Sequence, residues 1–137
     1  MSLLSTKGVY GLNAMYQLFI AKSDKPMQIK EISLKANVPQ NYLEQILILL
    51  RQAGLVQSVR GAYGGYLLAK SADAILIKDI LIALEGDLLI TDLEISEPVL
   101  GLFYAESTAK MQQIFALSLS DFDVYAQKIA HQFDYSI

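Results

Sequence analysis

The side chains whose types and spacing could do chemistry are amides and bases, not nucleophiles. Gln40, Asn41 and Gln45 follow closely on Pro39, and an amide donates and accepts together, as reading an adenine or another base edge requires. Arg60 stands before Gly61-Ala62-Tyr63-Gly64-Gly65, a stretch whose glycines let a backbone approach a phosphate or a minor groove unobstructed. Tyr42 and Tyr63 carry hydroxyls that can donate to phosphate, and Tyr42 suits packing between helices equally well. Lys7, Lys30, Lys35 and Arg51 add phosphate attraction that positions without specifying. The plainer alternatives are that the amides solvate a helix surface and that Arg60 supports its turn.

Other chemistries lack their parts. The chain has no Cys, which removes disulfides, thiolate metal sites, cysteine-held iron-sulfur clusters and cysteine nucleophiles. The Gly61, Gly64 and Gly65 run is not followed by Gly-Lys-Ser/Thr or by the start of a helix, so it reads as a turn and not as a nucleotide loop. The single histidine, His131, cannot build a histidine-rich metal site. Ser118, Ser120, Asp121, Asp123 and His131 superficially offer a Ser-His-Asp set, yet helix capping explains that spacing more simply. Glu94, Glu97 and Glu106 match no calcium loop. A non-enzyme without metal or cofactor is expected.

These candidates need elements to hold them. Leu12, Met15, Tyr16 and Phe19 recur at helical spacing and predict a first helix over Val9–Ala21. A second helix is expected over Ile29–Lys35, then a tight connection through Asn37 and Pro39. Leu43, Ile46, Leu47 and Leu50 form the apolar stripe of a third helix, leaving Gln40, Asn41, Glu44, Gln45, Arg51 and Gln52 on its more exposed faces. Gly54 ends it in a left-handed conformation. Residues 55–60 alternate roughly as a strand and residues 66–69 return as a second one after the glycine turn, forming a hairpin that must lean on the helices. Ile77, Ile80, Leu81 and Leu84 mark a fourth helix ending near Gly86.

The expected organisation is a DNA-binding unit over 1–86, a linker over 87–97 and a helical dimerisation and regulatory region over 98–137. In that last region a helix over Val99–Leu117 carries Leu100, Phe103, Met111, Ile114 and Phe115 on more than one stripe, which calls for a second copy of the chain. Ser120 and Asp123 are the expected capping pair of a final helix containing Phe122, Tyr125, Ile129 and Phe133. The fold class is therefore mainly α, a winged helix-turn-helix with a two-stranded wing and C-terminal dimerisation helices. Such a fold sets its third helix in a major groove and its wing tip on the neighbouring backbone or minor groove.

Charge separates the same regions. The 137 residues are 53% hydrophobic and carry a formal net charge of -3, enough apolar content for a core. Residues 1–70 hold eight Lys and Arg against three acids, a net +5, whereas residues 71–137 hold three Lys against eleven acids, a net -8. A basic half joined to an acidic half points to a polyanion for the first alone. No apolar run approaches the roughly 18 residues of a membrane span, nor does Lys7 precede a signal-peptide core; a cytoplasmic protein is expected.

Leu4-Ser5-Thr6-Lys7-Gly8, Tyr42-Leu43-Glu44-Gln45-Ile46, Leu50-Arg51-Gln52-Ala53-Gly54-Leu55-Val56, Ser58-Val59-Arg60-Gly61-Ala62-Tyr63-Gly64-Gly65-Tyr66 and Leu84-Glu85-Gly86 together resemble the Rrf2 family of bacterial transcription regulators. The ordered motifs cover residues 3–86; the remainder of the chain resembles the family in layout more than in sequence. The resemblance implies a dimeric winged helix protein, usually a repressor, that binds palindromic promoters through the third helix and wing. Many members hold an iron-sulfur cluster through cysteines between the fourth helix and the dimerisation helix, and this chain departs from them by having none.

The wing Gly61 to Tyr66 resembles that of the cysteine-metabolism repressor branch, which lacks a cluster and is controlled by association with cysteine synthase. A terminal Ile137, joining an apolar side chain to a carboxylate, could enter such a synthase pocket, or the terminus could be frayed or packed on the core. The rival function is a winged helix protein-interaction module, controlled by or binding cysteine synthase and with little DNA affinity of its own. The acidic total and the presence of only two arginines favour that rival.

Overall fold

A computed structural model describes the backbone of residues 2–136 and the side chains of residues 2–132. Helices α1 (Thr6–Ala21), α2 (Ile29–Ala36) and α3 (Gln40–Gln52) are followed by strands β1 (Val56–Val59) and β2 (Gly65–Leu68), then by α4 (Ile77–Glu85), α5 (Pro98–Ile114) and α6 (Phe122–Ser136). The fold is mainly helical with a two-stranded antiparallel wing, in which Val56 pairs with Leu68 and Val59 with Gly65. None of its described helices is long and apolar enough to cross a membrane.

The core is built where the helical stripes face one another. Met15 of α1, Ile32 of α2, Leu43, Ile46, Leu47 and Leu50 of α3, and Ile80 and Leu81 of α4 are fully buried. Burying a side chain of this size stabilises the fold by about 1.5–3 kcal/mol, so this cluster holds the amino-terminal elements as one unit. Between α2 and α3, Asn37 takes the left-handed conformation at φ 55, which Asn tolerates better than most residues. The Ser33 hydroxyl donates to the Val38 carbonyl at 2.5 Å, closing the turn. Pro39 is the cap residue of α3 and not its first helical residue. Gly54, at φ 74, ends the helix in the expected left-handed conformation.

Helix α1 begins a turn earlier than Val9, because Ser5 caps it and the Glu85 carboxylate reinforces the cap. Glu85 Oε1 accepts from the Ser5 backbone N–H at 2.9 Å, the Ser5 hydroxyl at 2.5 Å and the Gly8 N–H at 3.1 Å. A carboxylate at these unsatisfied donors also meets the positive end of the helix dipole. The start of α1 and the end of α4 are thereby fastened together.

The wing is anchored to the helices by a third extended piece. Met27 pairs with Tyr66, N–H to carbonyl at 2.9 Å and the reverse at 2.8 Å. Gly65, expected in the turn, is instead the first residue of β2, at φ 155 and directly against the Met27 carbonyl, a spot any Cβ would fill.

Beyond α4, residues 87–97 hold no helix or strand, yet Leu88 is buried and its carbonyl accepts from Gln112 Nε2 at 2.9 Å. Helix α5 stops at Ile114, short of Leu117, because the chain returns to α4. The Ile77 N–H donates to Leu117 and the Lys78 N–H to Phe115, each at 2.8 Å, and the Leu119 N–H donates to Ile75 at 2.8 Å. These bonds satisfy donors that the start of α4 would otherwise leave open, and they deliver Leu119 fully buried into the amino-terminal core. The capping pair before α6 is Ser118 with Asp121, whose carboxylate accepts from the Ser118 N–H at 2.8 Å. It lies two residues ahead of the expected Ser120 and Asp123, because a short 3-10 turn over Leu119–Asp121 precedes the helix.

Candidate nucleic-acid interface

Helix α3 turns its buried residues inward at Leu43, Ile46, Leu47 and Leu50. Gln40, Asn41, Glu44, Gln45, Arg51 and Gln52 are all exposed. At 3.6 residues per turn, Asn41, Gln45 and Gln52 fall on one line opposite that core. The amides of this row are presented to solvent.

A cleft of about 500 Å³ opens between α2, α3 and the wing, lined by Lys30, Arg51, Ser58, Arg60, Gly61 and Gly64 among others. Three basic residues from distant parts of the sequence thus converge on one concavity. Arg51 Nη1 donates to Ser58 Oγ at 3.4 Å, tying the last turn of α3 to β1, and Gln28 Nε2 reaches the Ala62 carbonyl at 3.4 Å, tying the wing tip to the start of α2. Gly61 sits at φ 111, and a Cβ on Gly64 would run into the backbone of Val59 and Arg60; the turn needs both. Tyr63 projects from the tip at 92% exposure. Cations around a gap of this size suit a phosphodiester.

Other candidates stand outside the cleft. Lys35 is ion-paired with Glu31 at 3.0 Å on the exposed face of α2, so its charge is already partly answered. Lys7 lies half-buried in the first turn of α1. Tyr42 packs edge-on against Tyr10, ring centroids 5.4 Å apart at 85°, which realises the packing alternative for its ring. One exposed residue on α3 escaped the sequence reading: Ile48, hidden in the unbroken run Ile46-Leu47-Ile48-Leu49-Leu50.

The residues expected to dimerise divide into two groups. Leu100, Phe103 and Ile114 are 50%, 55% and 67% exposed. Met111 is instead buried, because the chain beyond α5 returns to α4, and Phe115 is half-buried, packed on one side against the core and open on the other to a groove. Beside them a groove of about 540 Å³ is lined by Leu12, Tyr16, Ile77, Ile114, Phe122 and Ile129, among others. Ile137, on which the expected synthase contact rests, lies outside the described residues, as does the side chain of Phe133.

A model of the Rrf2 family, described as an iron-dependent transcriptional regulator, matches residues 4–122. The HTH-type transcriptional regulator CymR of Bacillus subtilis (strain 168) is 48% identical over 83 residues, 61% of this chain and 60% of that protein. The matched segment therefore spans less than two thirds of that relative. Among solved structures, CymR (YrzC), the global cysteine regulator of B. subtilis, aligns with a TM-score of 0.81 at 38% identity, over 91% of this chain and 98% of that one. T. potens IscR aligns with a TM-score of 0.76 at 32% identity, over 92% and 89% of the two chains. None of these names a synthase partner. The iron in the family's description finds no thiolate here, since the chain has no Cys, and no three His, Asp or Glu converge among the described residues; this donor set does not fit a cysteine-held cluster.

Proposed function

The chain belongs to the Rrf2 family, and from that footing we propose that it is a sequence-specific DNA-binding transcription regulator, a homodimeric repressor of a palindromic operator that works without an iron-sulfur cluster. The observation that carries this reading is the cleft where Lys30, Arg51 and Arg60 meet beside the exposed amide row of α3. Gln40, Asn41 and Gln45 read base edges in the major groove. Arg60, Arg51 and Lys30 hold the backbone, with Tyr63 and the glycine tip reaching the adjacent minor groove. The alternative of an interaction module without DNA affinity would leave this convergence of cations without a use.

Residues 1–86 form the DNA-binding unit and 98–137 the dimerising one, with Leu100, Phe103 and Ile114 on the shared surface. Contiguous apolar exposure of this kind marks an interaction surface. For two half-sites one helical turn apart, the two copies of α3 should lie about 34–36 Å apart.

The test is selection from a genomic fragment library that includes the protein's own promoter, at controlled salt and with unrelated competitor DNA. The expected result is enrichment of one palindrome. Weak binding, equal on all fragments and abolished by salt, would overturn the reading.

A further inference from the structure

The apolar run Ile46 to Leu50 supplies more hydrophobic surface than α3 can bury. Ile46, Leu47 and Leu50 are 0% exposed and Leu49 is half-buried against the core, whereas Ile48 is left 46% exposed. Its direction is what matters. Asn41, Gln45 and Ile48 are spaced i, i+4 and i+7, so they stack on one helical face, and that face lies opposite Leu43, Ile46, Leu47 and Leu50. Ile48 therefore stands in the middle of an otherwise polar surface, flanked by Glu44, Gln45, Arg51 and Gln52.

Three physical points narrow what it could touch. Asn41 to Ile48 spans about 10 Å along the helix axis at 1.5 Å per residue, close to three base-pair steps of about 3.4 Å, so Ile48 stays within reach of the groove floor that the two amides read. A β-branched side chain in a helix is nearly confined to one χ1 rotamer, so its methyl groups are presented at a fixed place and lose little freedom on contact. The major-groove floor offers one apolar group, the C5 methyl of thymine.

We propose that Ile48 is a specificity-determining residue, selecting thymine at one position of each half-site by apolar contact with its C5 methyl. This deepens the proposed DNA-binding function and rests on it: the amides read hydrogen-bonding edges, and Ile48 reads the one feature on the floor that has no hydrogen bond to give.

The experiment replaces each thymine of the selected operator in turn, symmetrically in both half-sites, by uracil, which lacks only that methyl. Binding of the wild-type protein and of Ile48→Ala is measured at one salt concentration. One thymine position is expected at which uracil weakens wild-type binding about fourfold per half-site, the transfer cost of one buried methyl, while Ile48→Ala binds the two operators equally. Ile48→Ala should lose that same factor on the thymine operator alone and keep the wild-type melting temperature, because the side chain is not part of the core.

The proposal is overturned if no uracil substitution affects the wild type, or if Ile48→Ala weakens binding to the thymine and uracil operators alike. Those results would leave the DNA-binding reading standing. A wild-type protein that selects no sequence at all would overturn both.

Discussion

The two halves of this chain handle apolar side chains in opposite ways. In α1 to α4 the apolar stripes meet one another, and Met15, Ile32, Leu47 and Leu81 are fully buried. In α5, only Met111 is buried, while Val99, Leu102 and Phe103 are 75%, 62% and 55% exposed. The first half, residues 1–86, is closed over its own core and is basic at net +3. The second, residues 87–137, is acidic at net -6 and exposes the apolar surface that a second copy would cover. One region buries its apolar residues within itself, and the other leaves them for a partner to cover.

The sharpest way to break this contrast is to cut a buried stripe. Leu47→Ala should cost about 2–5 kcal/mol through lost transfer energy and the cavity left behind, read as a shifted denaturant midpoint. An outcome under about 1 kcal/mol would mean that the amino-terminal core is loosely packed and that the two halves differ less than their burial indicates. The corresponding change outside the core is Phe103→Asp. It should leave the unfolding of the amino-terminal unit unchanged and weaken self-association by about 2 kcal/mol or more, read by sedimentation across a concentration series. A monomer–dimer balance indifferent to Phe103 would move the interface elsewhere on the acidic half.

Arg60→Ala tests the functional side of the same division. Loss of a charged hydrogen bond to phosphate is worth about 1.5–3 kcal/mol per half-site, and the salt dependence should fall by about one counterion per site. The loss should be similar on every DNA sequence, since a wing-tip cation positions the protein without reading bases. A loss confined to one operator sequence would make Arg60 a base reader instead.

The legibility of each feature depends on how it is encoded. Helix α3 and the wing are legible in the sequence for two reasons: Leu43, Ile46, Leu47 and Leu50 repeat at helical spacing, and two short apolar runs flank a glycine-rich turn. The Met27–Tyr66 bridge and the pairing of residues 75–78 with 115–119 are not, because contacts of one or two residues carry no period. That return segment also explains why Met111 has the pattern of an interface residue and yet is buried within the protomer. Ile48 is hidden by an excess of signal, since an apolar residue within an apolar run gives no sign of which face it takes. Ser118–Asp121 and Ser120–Asp123 have the same i, i+3 spacing, and only the 3-10 turn distinguishes them.

The smallest expected effect lies where the basic unit hands over to the rest of the chain. Glu85 closes α4 and holds three donors at the start of α1. Glu85→Gln preserves the shape and leaves one amide oxygen to accept, but it removes the negative charge from the positive end of the α1 dipole and halves the acceptor capacity. A loss of about 1 kcal/mol is expected from the worth of a cap and of a charge at a helix end, or about 4 °C in melting temperature for a chain of this size. Added salt should narrow the gap between wild type and variant, because part of it is a partly exposed charge interaction. Self-association through α5 should be unaffected. If Glu85→Gln instead weakened association while leaving the melting temperature alone, the joint between α1 and α4 would belong to the assembling half, and the boundary between the two regions would have to be drawn before Glu85.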